Sequence, residues 1–138
     1  MTPLYTATAV STGEGRNGHV ETTDGLLVAD VRTPEAMGGP GGATNPEQLF
    51  AAGYAACFHS ALKSVAKKSG GDTSESEVVA DVSIGDNGEG GFALAVELEV
   101  TLPKMSREDA EKAVEKAHQV CPYSNATRGN IEVKLTIA

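Results

Sequence analysis

Asn45-Pro46-Glu47-Gln48-Leu49-Phe50-Ala51-Ala52-Gly53-Tyr54-Ala55-Ala56-Cys57-Phe58 decides how the rest of the chain must be arranged. Asn45 offers a side-chain acceptor to the free amides of a helix start. Proline at the first helical position costs nothing there, because its missing N–H would lack a partner anyway. From Gln48 to Leu62 there is no Asp, Glu, Lys or Arg, so every side of the helix is apolar or small. Such a helix must be covered all round. The sequence therefore predicts that a second subunit supplies part of the cover, with the Ala and Gly positions allowing close backbone approach. Lys63, Lys67 and Lys68 complement the negative end of the helix dipole before Gly70-Gly71 stops it.

On the N-terminal side, Leu4 to Thr12 reads as a strand and Gly13 to Gly18 as a turn. Two short strands follow at His19–Thr22 and Leu26–Val31, separated by Asp24-Gly25. On the C-terminal side, Val78, Ala80, Val82 and Ile84 alternate with polar positions. After the Gly-rich stretch 85–91, Phe92, Leu94, Val96, Leu98, Val100 and Leu102 do the same. The period of two predicts an antiparallel hairpin. Ser106 and Asp109 resemble a capping box. The helix after them puts Ala110, Ala113, Val114, Ala117, His118 and Cys121 on one face and Glu111, Lys112, Glu115, Lys116 and Gln119 on the other. Pro122 ends it. Ile131, Val133, Leu135 and Ile137 form a last alternating strand. The order βββ-α-ββ-α-β predicts an α+β fold of antiparallel sheets around two long helices, as a single domain over residues 1–138.

With 138 residues, 40% hydrophobic and 22% charged, the chain is not of the disordered class. Its net charge of −8, from 19 acidic and 11 basic residues, argues against nucleic acid or an anionic membrane as partner. Met1 to Tyr5 has no basic region leading into an apolar stretch, and no segment reaches the ~18 apolar residues of a membrane span. The expectation is a cytoplasmic protein, a compartment where structural disulfides are rare. Its two cysteines are then buried thiols, metal ligands or redox groups.

Position alone keeps all three uses open. Cys57 lies in the middle of the apolar helix and Cys121 at the end of the amphipathic one, where both could be small buried hydrophobes. His118 and Cys121 share a face and could join Cys57 at a metal. Cys57 and His59, by contrast, point in nearly opposite directions, since each helical residue turns ~100°, and there is no CxxC pair. A reactive thiol needs a nearby cation to hold it as thiolate, and before Lys63 the only basic residues are Arg16 and Arg32. Arg16 sits in the Gly-rich turn, where it could swing toward a site. Glu47 is ten residues before Cys57, about 15 Å along a helix, so the two cannot touch directly. Gly38-Gly39-Pro40-Gly41-Gly42 matches neither phosphate-binding fingerprint.

The stretch Thr44 to Phe58, the block Cys121-Pro122-Tyr123-Ser124-Asn125-Ala126-Thr127-Arg128-Gly129-Asn130-Ile131 and the preceding Thr33 to Gly42 together resemble the OsmC/Ohr family, and within it the organic hydroperoxide resistance branch. The resemblance spans essentially the full chain. It implies an OsmC-like fold, an intertwined homodimer and a thiol-dependent peroxidase. Cys57 matches the cysteine that attacks the organic hydroperoxide, and Cys121 the one that resolves the sulfenic acid to a disulfide. Arg16 matches the arginine that stabilises the thiolate, and Glu47 the carboxylate that holds this arginine. The turn around Arg16 is about one residue shorter than the family spacing, which leaves Arg128 as the other available cation. No bound cofactor or metal is implied; the reductant would be dihydrolipoyl groups on a lipoylated partner protein. The alternatives are a peroxidase of the osmotically inducible branch, a metal-binding protein using His118, Cys121 and Cys57, and a structural dimer with incidental thiols.

Overall fold

The computed structural model describes residues 1–138. The chain divides into two compact units, Met1–Leu49 and Phe50–Ala138. In the first, β1 (Ala9–Glu14), β2 (Asn17–Thr22) and β3 (Val28–Asp30) form an antiparallel sheet in that order. The turn expected over residues 13–18 is much tighter than its glycine content suggested. Glu14 pairs with Asn17, which leaves only Gly15-Arg16 as a two-residue loop. Gly15 has φ 64°, as a type II′ hairpin requires at its first loop position. The ladder continues through Gly13 and Gly18 because neither carries a Cβ: one on Gly18 would lie 2.2 Å from the Thr12 carbonyl oxygen. Strand pairing begins at Ala9 rather than Leu4, and Leu4 and Tyr5 are exposed. The Asp24-Gly25 turn forms as expected, with the Asp24 carboxylate accepting from Thr22 Oγ1 at 2.7 Å and from the Leu26 amide at 3.0 Å.

Helix α1 spans Pro46–Lys68, and Asn45 Oδ1 accepts from the Gln48 amide at 2.9 Å. In the second unit, β4 (Glu77–Asp86) and β5 (Phe92–Thr101) pair antiparallel, from Glu77 opposite Thr101 to Asp86 opposite Phe92. Helix α2 (Arg107–Val120) is capped by Ser106, whose hydroxyl accepts from the Asp109 amide. Strand β6 (Val133–Ile137) then lies parallel to β5, with Val96 opposite Val133. The sheet is therefore mixed where antiparallel pairing was expected. The return through helical turns carries the chain back to the end at which β5 begins, and a strand entering there must run parallel.

A second difference is α3 (Pro122–Thr127). Pro122 does end α2, but its fixed φ also suits the first position of a new helix. Cys121 is the joint, serving as the C-cap of α2 and the N-cap of α3 with φ −64° and ψ 125°.

The core is built from every fourth residue of α1 (Tyr54, Phe58, Leu62, Ala66), alternate residues of β5 (Val96, Leu98, Val100) and the apolar face of α2 (Ala110, Ala113, Val114, Ala117). Within this chain α1 is covered along one side only: Ala52, Ala56 and Ser60 are exposed. No helix is long and apolar enough to cross a membrane.

Leu98 is wholly buried in the centre of β5. Leu98→Ala should destabilise the protein by about 2–5 kcal/mol, read as a lower urea midpoint with an unchanged slope; a loss below 1 kcal/mol would contradict this core.

Candidate active site

Two pairs of side chains stand out, one in each unit. In the first, Arg16 projects from the β1–β2 loop and grips Glu47 in the first turn of α1. Nη1 donates to Oε2 at 2.9 Å and Nη2 to Oε1 at 2.7 Å. This fork-to-fork geometry fixes both groups more tightly than a point charge could. The Glu47 side chain is 12% exposed and that of Arg16 37%. The hydrogen bonds from Arg16 hold the Glu47 carboxyl below the usual carboxylate range, and Glu47 in turn raises Arg16. The other early cation, Arg32, is committed to backbone, donating to the Gly18 and Val31 carbonyls at 2.9 and 2.6 Å.

In the second unit the two cysteines meet. Both are reduced; Cys57 is half-buried on α1 and Cys121 fully buried at the α2–α3 joint. Their thiols are close enough to influence each other's charge, and the Tyr123 backbone N–H faces the Cys57 sulfur. Burial pushes the Cys57 thiol up, the nearby Cys121 thiol pushes it further, and only the Tyr123 amide pulls it down. A thiolate at Cys57 thus needs an opposing positive charge. Arg128 is engaged at the end of α2, donating to the His118 carbonyl at 2.8 Å and to Asn125 Oδ1.

Two devices that sequence reading missed bring α3 to α1. Gly53 opens a gap in the α1 surface, where a Cβ would lie 2.6 Å from Tyr123 Oη. The Tyr123 ring packs there against Phe50 and Tyr54, at centroid distances of 5.9 and 5.5 Å. A glycine inside an otherwise strong helix was the available signal. The second device is a buried set of hydroxyls on Tyr54, Ser124 and Thr127. Nothing in the pattern marked it, because α3 itself was not expected.

His118 Nδ1 is bonded to Ser124 Oγ at 2.8 Å, and no group of three His, Cys, Asp or Glu side chains converges anywhere in the chain. His59 is bonded to Ser76, and His19 to Asp30. A cleft of about 290 Å³ near the end of α1, lined by Val65, Met105, Lys112 and Lys116, contains neither cysteine.

Residues 39–136 match the family model described as OsmC-like protein. The organic hydroperoxide resistance protein of Xanthomonas axonopodis pv. citri is 53% identical over 139 residues, covering 98% of this chain and 95% of its own. The organic hydroperoxide resistance protein OhrB of Bacillus subtilis is 47% identical, covering 97% of this chain and 98% of its own. Among solved structures, an organic hydroperoxide resistance protein from Legionella pneumophila superposes with a TM-score of 0.94 at 52% identity, covering 99% of both chains.

Because the Glu47 carboxyl titrates lower in the folded chain than in the unfolded one, its pair with Arg16 stabilises fully above the ordinary glutamate value of about 4.3 and loses that contribution as the pH falls through the lower folded value. Glu47→Gln should therefore lower the melting temperature at pH 7, by no more than about 5 °C for so exposed an arginine. The difference should shrink in acid; one that grows as the pH falls would contradict the pairing.

Proposed function

The chain belongs to the OsmC family, and on that premise we propose that it is a peroxidase that reduces organic hydroperoxides to alcohols at Cys57. The observation that carries this reading is the meeting of the Cys57 and Cys121 thiols, two groups far apart in sequence and joined by helices α1, α2 and α3. Relatives about half identical over nearly their whole length are named for resistance to organic hydroperoxides, which favours this branch over the osmotically inducible one.

The chemistry balances with these residues alone and one reductant. The Cys57 thiolate attacks the outer peroxide oxygen, the O–O bond breaks, and the departing alkoxide takes a proton to leave as an alcohol. Cys57 is then a sulfenic acid. The Cys121 sulfur attacks it, a Cys57–Cys121 disulfide forms and water leaves. A dithiol must supply two electrons to restore both thiols. We assign that role to dihydrolipoyl groups of a lipoylated protein, with no cofactor held by the chain, and we place the protein in the cytoplasm. Arg16, oriented by Glu47, is the cation proposed to counter the burial that raises Cys57. The half-buried rings of Phe50 and Tyr123 supply apolar surface suited to an alkyl chain rather than to hydrogen peroxide.

We further propose that residues 1–138 act as one domain and that two copies form a homodimer. The exposed Ala52, Ala56 and Ser60 side of α1 and the exposed Val10, Leu26 and Val28 of the first unit are the surfaces a second copy would cover.

With dihydrolipoamide as reductant, wild-type protein should turn over tert-butyl hydroperoxide, Cys57→Ser should not, and Cys121→Ser should consume one equivalent and stop. Sustained turnover by Cys57→Ser would overturn the reading. Arg16→Ala should move the pH profile of Cys57 alkylation to higher pH; an unmoved profile would remove Arg16 from the site.

A further inference from the structure

Tyr54 Oη lies 2.8 Å from Ser124 Oγ and 3.1 Å from Thr127 Oγ1, and Ser124 Oγ lies 2.8 Å from His118 Nδ1. Thr127 Oγ1 also donates to the Ser124 carbonyl at 3.2 Å. Tyr54, Ser124 and Thr127 are all buried, so these groups have only one another to satisfy them. Each hydroxyl has one proton to give, and a single assignment supplies every contact. Thr127 spends its proton on the Ser124 carbonyl, so Tyr54 must donate to Thr127. Ser124 must then donate to Tyr54, and His118 Nδ1–H must donate to Ser124. The chain of donors runs from α2 through α3 to α1 and back to α3.

Its place relative to the cysteines is what gives it a use. Tyr54 is three residues from Cys57 on α1, Ser124 is three residues after Cys121, and His118 three before it. Ser124 therefore ties α3 to both α1 and α2 within one helical turn of the sulfurs. A disulfide tolerates only a narrow range of Cα separations and directions, so the joint at Cys121 has to be held in one geometry. We propose that Ser124 is a positioning residue for disulfide formation: its bridge from Tyr54 to His118 holds the Cys121 thiol, and with it the Tyr123 amide, against Cys57. The proposal deepens the peroxidase reading and rests on it for its biological purpose, but its physical content is the effective concentration of one thiol at the other.

That quantity can be measured without peroxide. Reduced protein and oxidised glutathione are brought to equilibrium with protein disulfide and two reduced glutathiones, and the constant is read by mass spectrometry. Ser124→Ala and Tyr54→Phe should each lower the constant at least tenfold, a potential about 30 mV more oxidising. His118→Asn, which keeps an N–H donor where Nδ1 stood, should stay within threefold of wild type, whereas His118→Ala should fall with the others. Circular dichroism checks folding. If Ser124→Ala does not fold, Tyr54→Phe decides, because it removes only an oxygen and keeps the ring packing. A smaller change in a folded Tyr54→Phe protein overturns the proposal. So does a wild-type chain that forms no disulfide with glutathione, or a His118→Asn protein as impaired as His118→Ala. If instead the wild type leaves tert-butyl hydroperoxide untouched while the glutathione constants behave as stated, the peroxidase reading fails and the positioning role of Ser124 stands.

Discussion

Tyr54, Phe58, Leu62 and Ala66 run as a wholly buried stripe along α1, and β5 and α2 are laid against it. The stripe does more than contribute hydrophobic area. Because side chains three and four residues apart share a helix face, burying Tyr54 and Phe58 also turns Cys57 inward, half-covered rather than free in solvent. The same packing brings the last turn of α2 to α1, and Cys121 ends that turn. The meeting of the thiols thus depends on the packing that also forms the core.

Burial and reactivity pull in opposite directions at this site. The apolar setting that would welcome an alkyl peroxide disfavours the thiolate that must attack it, and the Cys57 thiol is accordingly raised. A partial remedy is local, since the Tyr123 amide favours the Cys57 thiolate. The larger remedy in the proposed mechanism is a guanidinium, whose charge survives partial burial where an ammonium would tend to lose its proton. The paired carboxylate of Glu47 restricts that guanidinium to one orientation.

Much of this was legible beforehand because it rests on local rules. The helix start at Asn45-Pro46, the β4–β5 hairpin and the Ser106 cap follow from capping chemistry and a period of two. The pairing of Arg16 with Glu47 was implied by the family resemblance, and the two side chains do bind. What escaped the sequence depends on three-dimensional return paths or on double meanings. Pro122 is both a stop for α2 and a start for α3, and pattern alone favoured the stop. The direction of β6 depends on where α3 leaves the chain, not on the alternation of Val133, Leu135 and Ile137. The helix α1, apolar on all sides, was expected to be covered all round; its small residues Ala52, Ala56 and Ser60 remain exposed within one chain. The Tyr54–Ser124–His118 chain emerges only from the three-dimensional packing, since a serine two residues after a proline carries no mark of burial.

The most direct measurement is peptide mapping of the reduced protein after one equivalent of an organic hydroperoxide, with all unreacted thiols blocked. Conversion of the Cys57 and Cys121 peptides into a single disulfide-linked species, with the corresponding alcohol released, is the predicted result. Two blocked, unoxidised cysteines beside intact peroxide would contradict it.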